Sequence, residues 1–387
     1  MMIPLSVPNL TGRELQYIKK CIDTNWVSSS GSFVKEFEDA LCSYVRSGYA
    51  VACVNGTSGL HLALNLCGVR EDDEVIVPTL TFIAPVNVVK YLGAEPVFMD
   101  CDDTMNIDCS KLREFCANEC RITKLGLKNK KTGKTIKAII PVHVFGNPCD
   151  MEEIMKIARK YHLKVIEDAT ESLGAYYTAG GYKHKFTGTV SDIGVYSFNG
   201  NKIITAGGGG MIVTDNRFLA EKARYLTNQA KDDPINYIHN EIGYNFRLTN
   251  LQAAMGLAQL EQLKGFIKTK KTNYKLYKES LKGIAGISLL GTPAGTAPNY
   301  WFYSLLVDKK TFGIDRRALM FYLAAQGIQS RPIWYLNHWQ KPYRKNKSYK
   351  IEKAIWFWKR ILNLPCSSNL TQVQLCKVVG SIKKARG

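Results

Sequence analysis

A lysine, Lys202, stands between a short apolar run and a run of glycines. It follows residues 193–198, which are mostly apolar, and precedes the four consecutive glycines at 207–210. Glycines leave room for the backbone to approach a ligand closely. A lysine in such crowded, partly desolvated surroundings can lose its proton and form a Schiff base. Taken alone, the residue could also be an ordinary solvated lysine, so the neighbouring motifs decide between the two.

A pair of acidic residues, Glu167 and Asp168, ends the apolar run 164–168. A carboxylate at the end of a buried strand can pair with the protonated ring nitrogen of a bound heterocycle. That pairing keeps the ring cationic, so that the ring can absorb electrons from a carbanion. A metal ligand, or a cap for a helix over residues 169–174, is the alternative role for Asp168.

The turn Asn55-Gly56-Thr57-Ser58-Gly59 precedes an apolar helical run over residues 60–66. Small and hydroxyl-bearing residues at a helix N-terminus offer backbone N–H groups and a favourable dipole to a phosphate. The alternative is that Thr57 or Ser58 only caps the helix. The eleven cysteines form no Cys-x-x-Cys pair, and no histidine lies near them at zinc-finger spacing, so the sequence predicts reduced thiols and no metal site.

Alternating short apolar and amphipathic segments must position these groups. From about residue 50 to 215 the pattern is that of βαβ units, which predicts a mainly parallel sheet with ligands at the carboxyl ends of its strands. The predicted strands are 74–77, 96–99, 138–142 and 164–167, and the predicted helices are 57–67, 84–92, 151–161 and 217–227. A long helix over 249–283 and a strand within 301–307 follow. We therefore expect a large domain over 1–255 and a small domain over 256–387.

Taken together, these motifs resemble those of one known family. Residues 55–58, 167–169 and 197–202, completed by 78–82 and 243–247, are similar to the nucleotide-sugar aminotransferases of DegT/StrS type. The resemblance covers essentially the whole chain. It implies an α/β fold-type I aminotransferase, with a large mainly parallel sheet domain and a smaller C-terminal α/β domain. Residues 168–172 and 199–205 look most like the enzymes of legionaminic acid and bacillosamine synthesis.

The resemblance implies roles for particular residues around pyridoxal 5'-phosphate. Lys202 would hold the cofactor covalently and shuttle a proton, and Asp168 would pair with the pyridine nitrogen. Glu171 stands where many members carry glutamine, and Gly208 where many carry glutamate. The remaining cofactor contacts would be Gly56, Thr57, Ser58 and Ser197 at the phosphate, Phe82 against the ring, and Asn245 from the second subunit of a homodimer.

The substrate side is less strongly marked in the sequence. Trp26 and Ser28 resemble the family's N-terminal closing loop, and His338 lies in a similar segment of the small domain. His143 could line the pocket or be structural, and Arg331 could bind nucleotide phosphates or lie on the surface. The implied reaction moves an amino group, from glutamate, to a nucleotide-linked 4-keto-6-deoxy (N-acetylamino) sugar.

Charge and composition bound the alternatives. The net charge is +19, but the lysines are dispersed and no nucleic-acid motif is present, so we expect no nucleic-acid partner. No apolar stretch is long enough for a membrane span and no signal peptide is evident, so we expect a cytoplasmic protein. A sugar dehydratase on the same fold and a non-enzymatic basic binding protein remain as alternatives. Some relatives that dehydrate carry histidine in place of the lysine, so Lys202 favours amino transfer.

Overall fold

The structure is a computed structural model that describes residues 2–385. The strands are β1 Tyr49–Cys53, β2 Glu74–Pro78, β3 Glu95–Met99, β4 Cys120–Thr123, β5 Gly126–Asn129, β6 Thr135–Ile139, β7 Lys164–Asp168, β8 Tyr176–Tyr177, β9 Ile193–Ser197, β10 Gly210–Thr214, β11 Lys231–Asp233, β12 Ile238–His239, β13 Ile287–Leu289, β14 Thr296–Ala297, β15 Tyr303–Val307, β16 Arg331–Pro332, β17 Ser348–Tyr349 and β18 Ile361–Leu364. The helices are α1 Glu14–Asp23, α2 Ser32–Val45, α3 Gly56–Leu66, α4 Ala84–Tyr91, α5 Cys109–Glu114, α6 Met151–Tyr161, α7 Arg217–Thr227, α8 Asn250–Ser280, α9 Lys309–Phe312, α10 Arg316–Ala325, α11 Lys353–Trp358 and α12 Gln372–Lys384.

The large sheet has the strand order β1-β10-β9-β7-β6-β2-β3-β17. The pairs β9–β7, β7–β6, β6–β2, β2–β3 and β3–β17 are parallel, whereas β10 runs antiparallel to both of its neighbours. Every residue of β2, β9 and β10 is buried, as expected for strands covered by helices on both faces. The predicted α/β class with a mainly parallel sheet is confirmed.

The predicted strands and helices agree with the observed ones, although some ends differ by up to three residues and one strand is shifted as a whole. The strand expected at 138–142 is observed as Thr135–Ile139. Its end fits the sequence because Pro141 has no backbone N–H to donate to a ladder. Helices α3, α6 and α7 each begin after an asparagine or aspartate whose side chain accepts a backbone N–H of the first turn. Those capping residues are Asn55, Asp150 and Asn216.

The small sheet has the order β13-β15-β18-β16, and all its pairs are antiparallel. Its core includes side chains from α8, α10 and α12, such as Tyr277, Leu323 and Val378. The strand expected within 301–307 begins at Tyr303, and the two aromatic residues before it, Trp301 and Phe302, contribute to the cavity described below.

Helix α8 joins the two parts of the molecule. It begins with a capping box between Thr249 and Gln252 and continues without interruption to Ser280. Its first half packs into the core that also contains α1 and α2, and its second half packs against the small sheet. The proposed division at residue 255 therefore falls inside a continuous helix, and it stays a prediction. Within residues 2–385, every helix is too short or too polar to cross a membrane.

Candidate active site

A cavity of about 600 Å³ lies at the carboxyl ends of the central strands. Asn55 follows β1, Asp168 ends β7 and Ser197 ends β9, so the three motifs of the sequence meet at the same edge of the sheet. The part of the wall formed by the large sheet and its loops includes Gly56, Thr57, Phe82, Asp168, Glu171, Ser197 and Lys202. The opposite part comes from the small sheet and its approaches and includes Trp301, Phe302, Arg331, Trp334 and Asn363.

Lys202 projects its amine into this cavity. The Nζ atom lies 4.1 Å from the centre of the Trp301 ring, and the Lys202 backbone N–H donates to the Asn199 carbonyl in a tight turn. Burial lowers the pKa of the Lys202 ammonium, while the nearby Glu171 and Asp168 carboxyls act in the opposite direction. A lysine with a lowered pKa supplies the neutral amine that a nucleophile requires.

Asp168 is held firmly at the end of β7 and is 2% exposed. Its backbone N–H donates to the Pro141 carbonyl, and its Oδ1 accepts the Thr170 N–H at 3.1 Å. Burial raises the pKa of the Asp168 carboxyl, although Thr170 and Lys202 oppose that rise. A cationic ring placed in the cavity beside this carboxylate would offset the cost of burying its charge.

The start of helix α3 forms the part of the cavity suited to a phosphate. The Asn55 side chain accepts the Ser58 N–H at 2.8 Å, and Gly56 and Thr57 line the cavity together with Ser197. A Cβ on Gly56 would come within 3.0 Å of the Ser197 Cβ, so glycine permits this close approach of the two loops. Ser58 belongs to the same turn, but its side chain is outside the cavity lining.

Glu171 is a buried carboxyl that also faces the cavity. Its Oε2 accepts the Phe145 N–H at 2.8 Å, and it is 2% exposed. Burial raises the pKa of Glu171 to about 7, against the opposing effect of Lys202. Phe145 itself adopts a left-handed backbone conformation with φ of 55°. Near neutral pH the site therefore contains a carboxyl that changes its charge next to the lysine.

His143 is in the core of the protein rather than on the cavity wall. It is fully buried, its Nε2 lies 3.0 Å from Glu167 Oε2, and its Nδ1 accepts the Cys149 N–H at 3.0 Å. Its backbone N–H also donates to the Asp168 carbonyl. Both ring nitrogens have partners within the core, as expected for the structural role that was the alternative for His143. The structure does not bring this side chain to the cavity as a substrate contact.

Four further predicted residues also lie away from the cavity lining of their own chain. Trp26 and Ser28 use their backbone carbonyls to accept hydrogen bonds from Asn250 at the start of α8, and the Trp26 side chain is 57% exposed. His338 contacts Thr79 Oγ1 through Nδ1 at 2.6 Å and lines a separate surface cavity. The fourth, Asn245, follows the β11–β12 hairpin.

The residues present fit pyridoxal 5'-phosphate. A lysine amine with a lowered pKa, a buried carboxyl able to face a ring nitrogen, and phosphate donors at a helix N-terminus surround one cavity. The volume of about 600 Å³ lies within the range typical of small-molecule sites.

Comparison with known proteins decides the family. The sequence model of the DegT/DnrJ/EryC1/StrS aminotransferase family matches residues 8–383. The chain belongs to this family. It is 38% identical over 384 residues to GDP-perosamine synthase of Escherichia coli O157:H7, with coverage of 99% of this chain and 98% of that protein. It is 36% identical over 382 residues to the putative pyridoxal phosphate-dependent aminotransferase EpsN of Bacillus subtilis, with coverage of 97% and 94%.

Solved structures of similar proteins share the fold over nearly the whole chain. The family member from Brucella abortus superimposes with a TM-score of 0.87 at 29% identity, covering 97% of this chain and 95% of that one. DesI, solved in the presence of its TDP-sugar product, gives a TM-score of 0.87 at 27% identity and covers 100% and 93%. The protein is therefore a pyridoxal-phosphate-dependent aminotransferase of fold type I, and neither the dehydratase nor the basic binding protein is favoured.

Several cavity residues were missed by sequence reasoning. Trp301 and Asn363 come from the small domain, and residues 5 and 6 reach the cavity from the N-terminal segment. Asn299, which supports Trp301, is fully buried. The only signal in the sequence was the polar and aromatic run Asn299-Tyr300-Trp301 at the start of the strand predicted within 301–307. Nothing in its spacing, however, specifies which part of the large domain it contacts.

Proposed function

We propose that this aminotransferase transfers an amino group from glutamate to the keto group of a nucleotide-linked 4-keto-6-deoxy sugar. The observation that carries the proposal is the position of the Lys202 amine, in a cavity shared with the buried carboxyls of Asp168 and Glu171. The identity to GDP-perosamine synthases and the similarity to DesI, solved with a TDP-sugar product, support a nucleotide sugar as the acceptor.

Each cavity residue has a distinct part in the proposed reaction. Pyridoxal phosphate, when bound, supplies an electron sink for a carbanion at the carbon that carries the amine. Lys202, whose amine lies in the cavity with a lowered pKa, would take the proton from that carbon and later donate it back, acting first as a general base and then as a general acid. Asp168 would pair with the ring nitrogen and keep it protonated. Gly56, Thr57, Ser58 and Ser197 would hold the cofactor phosphate, and Phe82 would lie against the ring.

Arg331 is the proposed contact for the phosphates of the nucleotide. It lies on β16 at the cavity wall, its side chain is exposed, and its Cα pairs with that of Asn363 on β18. A guanidinium presents several donors in one plane and suits phosphate oxygens. In the single chain Trp26, Ser28 and His338 lie outside this cavity, so a contact of these residues with the sugar requires closure of their segments or a partner subunit.

A homodimer with shared active sites is part of the proposal. Asn245 follows a hairpin whose apolar side chains face solvent: Ile235 is 83% exposed, Tyr237 70% and Ile242 89%. Such a concentration of exposed apolar side chains favours burial against another surface. A second copy of the chain would bury this hairpin and bring Asn245 to the phosphate site of its partner.

Two finer aspects of the function follow as proposals. The segments 168–172 and 199–205 favour an acceptor of the legionaminic acid or bacillosamine type. The sequence leaves the nucleotide open between UDP and GDP, and three of the similar curated proteins are GDP-perosamine synthases. The cytoplasm is the proposed location, because the eleven cysteines, all within the described residues, are free thiols, which suits a reducing compartment.

The test combines chemical trapping with product analysis. Borohydride should fix the cofactor to the peptide that contains Lys202, and Lys202→Ala should abolish both trapping and transfer, whereas Lys275→Ala on the exposed face of α8 should retain them. With ¹⁵N-glutamate and a panel of UDP- and GDP-linked 4-keto-6-deoxy sugars, with and without an N-acetyl group, mass spectrometry should show one ¹⁵N in a sugar product. Loss of water without gain of nitrogen, or trapping on another lysine, would contradict the proposal.

A further inference from the structure

We infer that Trp301 is a positioning residue that holds Lys202 in its reactive place. This inference rests on the proposed role of Lys202 as the cofactor-binding lysine. Trp301 precedes β15 of the small sheet and is 3% exposed, yet it contributes to the cavity wall. It makes two separate contacts with the Lys202 loop, one through its ring face and one through its indole nitrogen.

The ring face contacts the side chain of Lys202. The Nζ atom lies 4.1 Å from the ring centroid, well within the distance at which an ammonium is attracted to an aromatic face. The four-carbon stem of lysine is otherwise free to adopt many rotamers. The ring therefore restricts where the amine can go, both before it reacts and after it is displaced. The carboxyls of Asp168 and Glu171 are the charged groups that act on the same ammonium.

The indole nitrogen contacts the backbone beside Lys202. Trp301 Nε1 donates to the Asn201 carbonyl at 2.7 Å. The loop around Lys202 otherwise turns through the hydrogen bond from the Lys202 N–H to the Asn199 carbonyl. The indole thus fixes the adjacent peptide from outside the loop, and the backbone and the amine of Lys202 are held by the same side chain.

Asn299 ties Trp301 to the segment that carries the two carboxyls. Its Oδ1 accepts the Trp301 N–H at 3.0 Å, and its Nδ2 donates to the carbonyls of Glu171 and Leu173 at 2.9 and 3.0 Å. Asn299 is fully buried, so these bonds form in a low-dielectric environment where their loss is costly. Through this link the indole sets the distance between Lys202 and the Asp168–Glu171 segment.

Two substitutions separate the two contacts. Trp301→Phe keeps an aromatic face but removes the N–H, whereas Trp301→Leu removes both. In a single-turnover reaction with glutamate, followed by the cofactor spectrum, we expect the rate to fall about threefold in Trp301→Phe and about tenfold or more in Trp301→Leu. The half-saturation concentration of glutamate should change by less than about twofold, because the indole acts through Lys202. Trp358→Phe, the same change outside this cavity, should leave the rate unchanged.

A second measurement avoids the cofactor altogether. In cofactor-free protein, acylation of Lys202 by an amine-specific reagent is followed by peptide mass spectrometry, with exposed Lys275 as the internal reference. Trp301→Leu should accelerate acylation of Lys202 about threefold or more, since the amine is released from the ring. Trp301→Phe should leave acylation near the wild-type rate. If Trp301→Leu does not fold, the slower half-reaction of Trp301→Phe still carries the test.

The inference is overturned if both variants keep the wild-type half-reaction rate, or if their losses match that of Trp358→Phe. It is also overturned if Trp301→Leu acylates Lys202 at the wild-type rate. Failure of the proposed function would look different. If Lys202→Ala were still active, only the acylation rates would report on Trp301; if no keto sugar accepted the amine, the donor half-reaction and the acylation rates would both still report on it.

Discussion

The two walls of the cavity differ in how the sequence encodes them. The wall from the large sheet takes Asp168, Ser197 and Lys202 from motifs at strand ends, each marked by its own neighbours in the chain. The wall from the small domain takes Trp301 and Asn363 from segments without a local motif. We call the first the charged wall, because it carries the groups that change charge, and the second the positioning wall, because its residues hold those groups in place. The residues that carry the chemistry can therefore be found from local motifs, whereas the residues that position them depend on packing between segments far apart in the chain.

The largest effect should come from the charged wall. Asp168→Asn removes the carboxylate that faces the proposed ring nitrogen, and breaking one side of a buried charge pair costs about 3–5 kcal/mol, which corresponds to a rate loss of about 1,000-fold. Single-turnover kinetics with glutamate measure this loss. Asp103→Asn, an exposed aspartate paired with Lys353, should retain the wild-type rate. A comparable loss in both variants, or none in Asp168→Asn, would remove the distinction between the walls.

The residues of the charged wall could be predicted from the sequence, and the reason is physical. Strand ends in a parallel sheet converge at one edge, so motifs at 55–58, 167–169 and 197–202 had to meet once the βαβ pattern was recognised. His143 also follows a strand, yet its ring is turned into the core toward Glu167. Which way a side chain after a strand points depends on the tertiary contacts of that side chain, and local spacing does not determine those.

The positioning wall could not be predicted because its contacts join residues a hundred or more positions apart in the chain. Asn299 bonds to the carbonyls of Glu171 and Leu173, and Trp301 bonds to that of Asn201. The boundary between the two domains was also hard to predict, because helix α8 continues through residue 255 without a break. A linker rich in proline and glycine would have marked a boundary in the sequence, and a continuous helix does not.

Substitution of the glycine next to Asn299 tests the positioning wall through the free energy of unfolding. Gly146 has φ of 87°, and a Cβ there would overlap the Asn299 Oδ1 atom. Gly146→Ala should therefore lower the free energy of unfolding by about 3 kcal/mol, from backbone strain and weakened buried hydrogen bonds. Urea denaturation measures this change. Gly283→Ala has a similar φ of 78° with open space around the new Cβ, and it should cost only about 1 kcal/mol. Equal losses of unfolding free energy in the two variants would show that Asn299 can move at little cost and does not hold the positioning wall in place.

Glu171 belongs to both walls, and the pH dependence of stability tests how it links them. Its carbonyl binds Asn299 of the positioning wall, while its carboxyl, whose pKa is raised to about 7, belongs to the charged wall. A carboxyl with a raised pKa in the folded state holds its proton there more tightly than in the unfolded chain. Its contribution to stability is therefore full at low pH and declines as the pH rises toward about 7.

Glu171→Gln removes this titration and keeps the shape of the side chain. In cofactor-free protein the variant should match the wild type in unfolding free energy at pH 5 and exceed it by about 2 kcal/mol at pH 8, where the wild type carries the buried charge. Asp168, whose pKa is also raised, is present in both proteins, whereas Glu171 itself raises the pKa of Lys202, so the difference between the proteins reports the titration of the Glu171–Lys202 pair. Urea denaturation at the two pH values gives the result. A constant difference between pH 5 and 8 would mean that Glu171 is ionised throughout and that Lys202 compensates its charge, and the two walls would then be linked by an ion pair rather than by a titrating acid.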